Sequence, residues 1–235
     1  MSEKVKRELI TWVQVIVVVI FLRETVVTAY RIPTGSMINT LLIGDFLLVN
    51  RLVFGLKLPW SSITLIPGRD PKRGEIVVFR FPFENKDFVK RCIGLPGDTV
   101  EIKDKVVYVN HQRLDEPYAI HRDPRIIPGL DIPPERFQKL WVERRLIDYG
   151  NMVRDNFGPV VVPEGNFLLL GDNRDFSFDS RFWGPLPRRY LKGKPVILYF
   201  SANVPGNLPL IEQIIGHLNP ANIRFGRIGK VVWNL

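Results

Sequence analysis

The clearest pattern along the chain is an apolar run near its amino terminus. Three basic residues within the first seven precede 14 mostly apolar residues, Leu9 to Leu22. A helix of that length reaches only about 21 Å, whereas the hydrocarbon core of a bilayer is about 30 Å thick. Extending the helix to Ala29 gives a span of about 20 residues, with Arg23 at a membrane interface. The pattern predicts a transmembrane anchor over residues 9–29, after a cytoplasmic segment of residues 1–8.

The same segment fits a second interpretation. A basic start, an apolar stretch and the small residues around Val27-Thr28-Ala29 are also typical of a cleavable export signal. The spacing of the residues alone leaves both interpretations open.

After the anchor, short strand-like stretches recur, and Gly or Pro stands in almost every gap between them. The predicted strands are residues 45–52, 75–81, 88–93, 99–102, 106–109, 166–170 and 196–200. This spacing predicts a mainly β, antiparallel architecture over residues 30–235. Residues 103–160 contain many Pro, Arg and acidic residues and one predicted helix at 134–147, so we interpret them as an inserted cap region.

The charge of the chain favours a membrane surface over nucleic acid as its partner. The net charge is +9 and the pI is about 9.8. The basic residues are scattered, and no RNP, zinc-finger or helix-turn-helix signature is visible. Attraction to membrane phospholipids explains the charge better. The lone Cys92 is interpreted as a small buried apolar residue.

The segment Ile32-Pro33-Thr34-Gly35-Ser36-Met37 suggests a serine nucleophile just after the apolar run. A serine hydroxyl needs a base beside it, but the three histidines stand far apart without catalytic spacing. Lysine can act as the base when burial lowers its pKa from about 10.4 to near 7 or 8. In the predicted strand at 88–93, alternation puts Lys90 on the same face as the Phe88 ring. Lys90 is therefore the candidate base.

Simpler explanations exist for two of these segments. Lys90 and Arg91 could be a solvated strand edge. The segment 171–184, GDNRDFSFDSRFWG, could be an acidic turn or a calcium loop. An EF-hand loop needs a central Gly and a final Glu that this segment lacks, and its two arginines would repel a cation.

Taken together, these motifs resemble the type I signal peptidases of bacteria, which use a serine and lysine dyad. The matching segments are Ile32–Leu41, Gly44–Asn50, Arg73–Asp98 and Gly171–Gly184, in the expected order. The chain departs from the family pattern at Asn39, where Pro is common, and at Phe176, where Asn is common. The resemblance implies a largely β fold with coiled sheets and a retained membrane anchor.

The resemblance also implies roles for individual residues. Ser36 would be the nucleophile and Lys90 the general base. The Ser36 N–H and the Thr34 hydroxyl would stabilise the oxyanion. Four residues would support the dyad: Ser177 by orienting the lysine amine, the Asp179–Arg181 ion pair behind it, and Arg91. The residues implied to line a shallow apolar substrate cleft are Ile32, Pro33, Met37, Leu41, Phe88 and Val89, although Leu41 and Val89 also fit an ordinary core.

The function implied is a membrane-bound serine endopeptidase that cuts signal peptides from exported preproteins after small residues, at Ala-x-Ala sites. No metal or organic cofactor is expected. The expected location is the bacterial cytoplasmic membrane, with the catalytic domain on the extracytoplasmic side, and association with the export machinery is a further expectation. The alternatives are a self-cleaving repressor and an inactive, membrane-tethered binding protein. The apolar amino terminus disfavours the first, and the intact dyad disfavours the second.

Overall fold

The computed structural model describes residues 3–57, 64–206 and 208–232. Four helices are present among them: α1 (Glu3–Thr25), α2 (Pro134–Val142), α3 (Ser180–Trp183) and α4 (Leu210–Leu218). The first six strands are β1 (Val27–Arg31), β2 (Asp45–Asn50), β3 (Gly55–Lys57), β4 (Thr64–Pro67), β5 (Ile76–Arg80) and β6 (Asp87–Gly94). The others are β7 (Thr99–Lys103), β8 (Val106–Val109), β9 (Gln112–Arg113), β10 (Phe157–Val161), β11 (Asn166–Leu170), β12 (Leu186–Pro187) and β13 (Leu191–Ser201).

A seven-stranded sheet forms the centre of the fold, with the strand order β1-β2-β13-β5-β6-β11-β12. All of its paired neighbours are antiparallel. Strand β13 pairs with β2 and with β5, and its register shifts in both pairings. Such irregularities bend a strand and increase its twist, and they account for the curl of this sheet. The predicted mainly β, antiparallel fold is confirmed.

A smaller sheet, β10-β7-β8-β9, is formed mostly by the segment that was interpreted as a cap, although most of β7 precedes that segment. Helix α2 packs on it through Phe137, Leu140 and Trp141, which share a buried cluster with Phe157 and Val160. The predicted helix at 134–147 ends at Val142, and a 3-10 segment follows at Leu146–Val153. The chain leaves the large sheet after β6 and returns at β11, the strand that pairs with β6. The intervening residues are thus an insertion between two neighbouring strands.

The amino-terminal segment differs from its prediction. The helix ends at Thr25 rather than at Ala29, and residues 27–31 form β1, which pairs with β2. Hydrogen bonding to β2 satisfies backbone groups that a longer helix would have paired internally. The side chain of Arg23 lies outside the described part. Within that part, no helix is both long enough and apolar enough to cross a membrane.

Candidate active site

Ser36 lies in the loop that joins β1 to β2, next to the edge of the large sheet. The Ile32 N–H donates to the Asp45 carbonyl (2.8 Å), and the Gly44 N–H donates to the Ile32 carbonyl (2.9 Å), so the base of the loop is closed. Met37 and Leu41 anchor the loop in a core cluster that also contains residues of β2 and β5. These contacts hold the Ser36 side chain at a fixed place above the sheet.

Lys90 approaches Ser36 from β6. Its Nζ donates to Ser36 Oγ at 2.7 Å and to the Val89 carbonyl at 3.2 Å. The same Nζ lies 5.6 Å from the centre of the Phe88 ring, as the predicted strand alternation requires. The sequence separates Ser36 from Lys90, but the fold brings their reactive atoms within hydrogen-bond distance.

The environment of Lys90 favours its neutral form. Only 4% of the residue is exposed, and burial lowers the pKa of its amine to about 8. The carboxylates of Asp179 and Asp172 act in the opposite direction, and the Arg181 guanidinium adds to the lowering. No carboxylate of the described residues lies within ion-pair distance of Lys90 Nζ. The lowered pKa predicted from the sequence is confirmed, and the solvated-edge interpretation of Lys90 is wrong.

Arg91 points to the opposite face of β6 and forms an ion pair. Its Nε donates to Asp172 Oδ1 at 2.8 Å and its Nη2 to Asp172 Oδ2 at 2.6 Å. The Thr40 hydroxyl also donates to Asp172 Oδ2 (2.6 Å), and the guanidinium stacks on the Tyr118 ring at 3.7 Å. This brace ties the serine loop, β6 and the segment at 171–184 together.

A second buried ion pair lies within the segment at 171–184. Arg181 Nε and Nη2 each donate to the Asp179 carboxylate at 2.8 Å. Burial alone would raise the pKa of Asp179, but the charge and hydrogen bonds of Arg181 lower it below its ordinary value. Asp179 also accepts from the Gly171 N–H at 3.1 Å. The pair therefore fixes the start of the segment that faces Ser36.

Asn173 connects this segment directly to the serine loop. Its N–H donates to the Ser36 carbonyl and its Nδ2 donates to the Gly35 carbonyl, both at 3.1 Å. Its own Oδ1 is buried without a hydrogen-bond partner among the described residues. Asn173 and Thr40 were not predicted as site residues. The only signal for Asn173 was its place in a dense polar segment, which does not specify a partner.

Ser177 and Thr34, which were predicted to support the dyad and the oxyanion, both lie near Ser36. Ser177 is buried beside Gly171, where its side chain and the Ser36 carbonyl fill the place that a Cβ on residue 171 would need. The two hydrogen bonds of Lys90 Nζ go to Ser36 and Val89, not to Ser177. Thr34 is exposed beside the dyad. The Ser36 N–H donates no backbone hydrogen bond to another described residue.

A cleft of about 760 Å³ opens over the dyad. Five of the six residues predicted to bind substrate line it: Ile32, Pro33, Met37, Phe88 and Val89. Leu41 does not, because it is fully buried in the core cluster beneath the loop, as its alternative interpretation required. Two exposed aromatic residues that were not predicted to contact substrate, Phe176 and Phe178, also line the cleft.

The acidic side chains of the segment at 171–184 are already held by cations. Asp172 binds Arg91, Asp179 binds Arg181, and Asp175 Oδ1 lies 3.0 Å from Lys105 Nζ. Within the described residues, no cluster of three or more His, Cys, Asp or Glu could hold a metal ion.

His217 packs between the rings of Phe46 and Phe200.

The family model described as "Signal peptidase, peptidase S26" matches residues 5–200. The chain belongs to this signal peptidase family. The signal peptidase I of Pseudomonas aeruginosa is 36% identical over 217 residues, which cover 85% of this chain and 75% of that protein. The signal peptidase I of Aquifex aeolicus is 32% identical, covering 96% and 98%. A solved signal peptidase I from Enterococcus faecalis is 28% identical and covers 54% of this chain and 97% of that one, with a TM-score of 0.38.

Family membership makes the protein a peptidase, and it supports cleavage of signal peptides from preproteins.

Proposed function

We propose that the protein is a membrane-bound serine endopeptidase that removes signal peptides from exported preproteins, with Ser36 as nucleophile and Lys90 as general base. One observation carries this proposal. The Lys90 amine lies 2.7 Å from Ser36 Oγ and is buried, which lowers its pKa to about 8. A neutral amine at that distance accepts the serine proton, whereas an ordinary lysine stays charged.

The first half of the reaction forms an acyl-enzyme. Ser36 Oγ attacks the scissile carbonyl carbon while its proton moves to Lys90 Nζ. The oxyanion accepts hydrogen bonds from the Ser36 N–H and the Thr34 hydroxyl, and one such donor is worth roughly 3 to 4 kcal/mol in the transition state. When the intermediate collapses, the Lys90 ammonium gives its proton to the leaving amine, and the C–N bond breaks.

In the second half, water replaces the amine. Neutral Lys90 takes a proton from the attacking water, the new oxyanion uses the same two donors, and the ester bond to Ser36 Oγ breaks as the proton returns to that oxygen. The Arg91–Asp172 brace and Asn173 keep the serine loop aligned through both halves. Supporting roles for Ser177, Asp179 and Arg181 belong to the same proposal.

Selection of small residues would follow from the shape of the cleft beside Ser36. Ile32 and Met37 line it and are almost completely buried, so their side chains are packed in place and would not move aside for a larger side chain next to the scissile bond. An apolar pocket of this kind rejects larger groups by exclusion. We therefore propose Ala-x-Ala sites as preferred substrates.

Membrane binding is proposed on the exposure of α1. Its apolar side chains from Leu9 to Ile20 are exposed on every face of the helix, with exposed fractions of 45–66% for those that are large. A helix that is apolar all round requires an apolar environment. We propose that the amino-terminal region supplies the membrane attachment, with the catalytic domain on the extracytoplasmic side, where it would meet the export machinery.

The test is cleavage of a preprotein with an Ala-x-Ala site by the detergent-solubilised protein, with the products identified by mass. We expect a cut after the second Ala, no cut by Ser36→Ala, and unchanged activity after treatment with a chelator. Circular dichroism would establish that the variant is folded. Failure of folded wild-type protein to cut, or loss of activity with chelator and its recovery with zinc or calcium, would overturn the proposal.

A further inference from the structure

The insertion between β6 and β11 carries a segment, residues 116–123, that runs beside the residues following β11. We call this segment the strap. Its residue Ile120 lies opposite Asn173 in a parallel bridge. The Ile120 N–H donates to the Asp172 carbonyl at 2.8 Å, and the Arg174 N–H donates to the Ile120 carbonyl at 3.0 Å. One strap residue therefore binds the backbone on both sides of Asn173.

Charged side chains hold both ends of the strap on the same stretch of backbone. At one end, Glu116 accepts from Arg174 Nη1 at 2.8 Å and from Arg174 Nη2 at 2.5 Å. At the other end, the N–H groups of Arg122 and Asp123 donate to Asp175 Oδ2 at 2.6 and 2.7 Å. The side chains of Arg174 and Asp175 are almost completely buried. Loss of a partner would therefore leave a buried charge that water does not reach.

Tyr118, in the middle of the strap, packs against the Arg91–Asp172 brace. Its ring stacks on the Arg91 guanidinium at 3.7 Å, and its hydroxyl donates to Glu116 Oε1 at 3.2 Å. Arg91 in turn binds Asp172 through Nε and Nη2. The strap thus contacts two parts that hold the serine loop, the brace and the segment at 171–184.

The backbone that the strap holds has little regular structure of its own. A single 3-10 turn, Arg174–Phe176, follows Asn173, and such a segment depends on its neighbours for a fixed conformation. Asn173 passes that conformation to the serine loop, since its N–H donates to the Ser36 carbonyl and its Nδ2 to the Gly35 carbonyl. Ile120 is therefore connected to the nucleophile through one residue, Asn173.

We infer that the strap is a positioning element for catalysis, which fixes Asn173 and thereby keeps Ser36 Oγ at 2.7 Å from Lys90 Nζ. A misplacement of about 1 Å at a reacting atom can cost about 100-fold in rate. Among the described residues, none of those that line the cleft belongs to the strap. Loosening the strap should therefore disturb the reacting atoms and leave substrate binding intact. The inference rests on the proposed function for its effect on cleavage, but the effect on Asn173 can be measured without activity.

The first experiment measures the effect on Asn173 in the full-length, detergent-solubilised protein. Glu116→Gln keeps the shape of the side chain but leaves the buried Arg174 guanidinium without its anion, which loosens the strap. Hydrogen exchange of peptides that cover residues 171–176 is read by mass spectrometry. We expect exchange about tenfold faster than in wild type, because the backbone around Asn173 opens more often. Asp115→Asn, at an exposed neighbouring carboxylate, is the matched control and should exchange as wild type does.

The second experiment measures cleavage of a short Ala-x-Ala peptide well below the unfolding temperature. In Glu116→Gln we expect kcat to fall about tenfold and KM to stay unchanged, because the walls of the cleft are kept and only the reacting atoms lose their alignment. Tyr118→Ala should show the same split between kcat and KM. Tyr118→Phe, which keeps the ring on Arg91, should retain the wild-type kcat, and so should Asp115→Asn.

Three outcomes would overturn the inference. Wild-type exchange over residues 171–176 in Glu116→Gln would show that the strap does not hold Asn173. A lower urea midpoint with an unchanged kcat would make the strap a support of the fold alone, and a raised KM with an unchanged kcat would place it in substrate binding. A wild type that cuts no peptide would instead count against the proposed function, and the exchange of residues 171–176 would then decide the inference.

Discussion

The two faces of β6 give two neighbouring basic residues, Lys90 and Arg91, different surroundings. Lys90 and Arg91 are both buried, at 4% and 8% exposed. On one face, Lys90 meets a hydroxyl, a backbone carbonyl and an aromatic ring. On the other, Arg91 binds both oxygens of Asp172 and stacks on Tyr118. Both side chains are buried. They differ because Arg91 has a carboxylate partner, Asp172, whereas Lys90 has none among the described residues.

This difference separates a reactive group from a structural one. Removing an ammonium from water without an ion-pair partner lowers its pKa, because the charged form loses its solvation. Removing a guanidinium from water beside a carboxylate keeps both groups charged and fixes their geometry. The strand thus places a candidate base on one face and a brace on the other, one residue apart.

Replacing the amine of Lys90 should have the largest effect. Lys90→Met keeps most of the side-chain length but removes the proton acceptor, so we expect kcat/KM to fall by about 10³-fold. Stability should be kept, because burying the apolar side chain avoids the desolvation cost of an amine. The measurements are peptide cleavage and urea unfolding. Turnover within a few-fold of wild type would show that Lys90 is not the base.

Removing the carboxylate from the other face should chiefly affect stability. Asp172→Asn leaves the Arg91 guanidinium buried without an anion, which costs about 3 kcal/mol in the free energy of unfolding. Glu84→Gln is the matched control, because its partner Lys86 lies at 2.6 Å but both side chains are well exposed. Such a surface pair contributes less than about 1 kcal/mol. Equal urea midpoints for the two variants would remove the distinction between brace and surface pair.

Much of this site could be predicted from the sequence. The place of Ser36 in its motif, the strand alternation around Lys90 and the need for a lowered pKa were all visible without a structure. The strand at 27–31 was not, because Val27-Thr28-Ala29 continues an apolar run and fits a helix equally well. Its pairing with β2 depends on hydrogen bonds between distant residues, which local periodicity does not report.

The contacts between motifs were also beyond the sequence. Leu41 follows the nucleophile closely enough to suggest a cleft position, yet the loop turns it into the core. Asn173 and Thr40 make their contacts because β11 pairs with β6 after the long insertion. This pairing places the segment at 171–184, which follows β11, next to Ser36. The roles that depend on residue type were therefore predictable from the sequence. The roles that depend on contacts between loops distant in the sequence were not.

The smallest effect tests the cause of the lowered pKa. The enzyme should lose activity as the Lys90 amine gains a proton. Because the pKa of that amine is about 8, kcat/KM should fall about tenfold per pH unit well below pH 8. Phe88→Ala admits water beside the amine, weakens the desolvation and raises that pKa, so the midpoint of the profile should move up by about one pH unit. Phe83→Ala is the matched control, since Phe83 is exposed and packs on Phe81. A midpoint that stays in place for Phe88→Ala, or moves equally for both variants, would mean that the ring beside Lys90 does not keep its amine neutral.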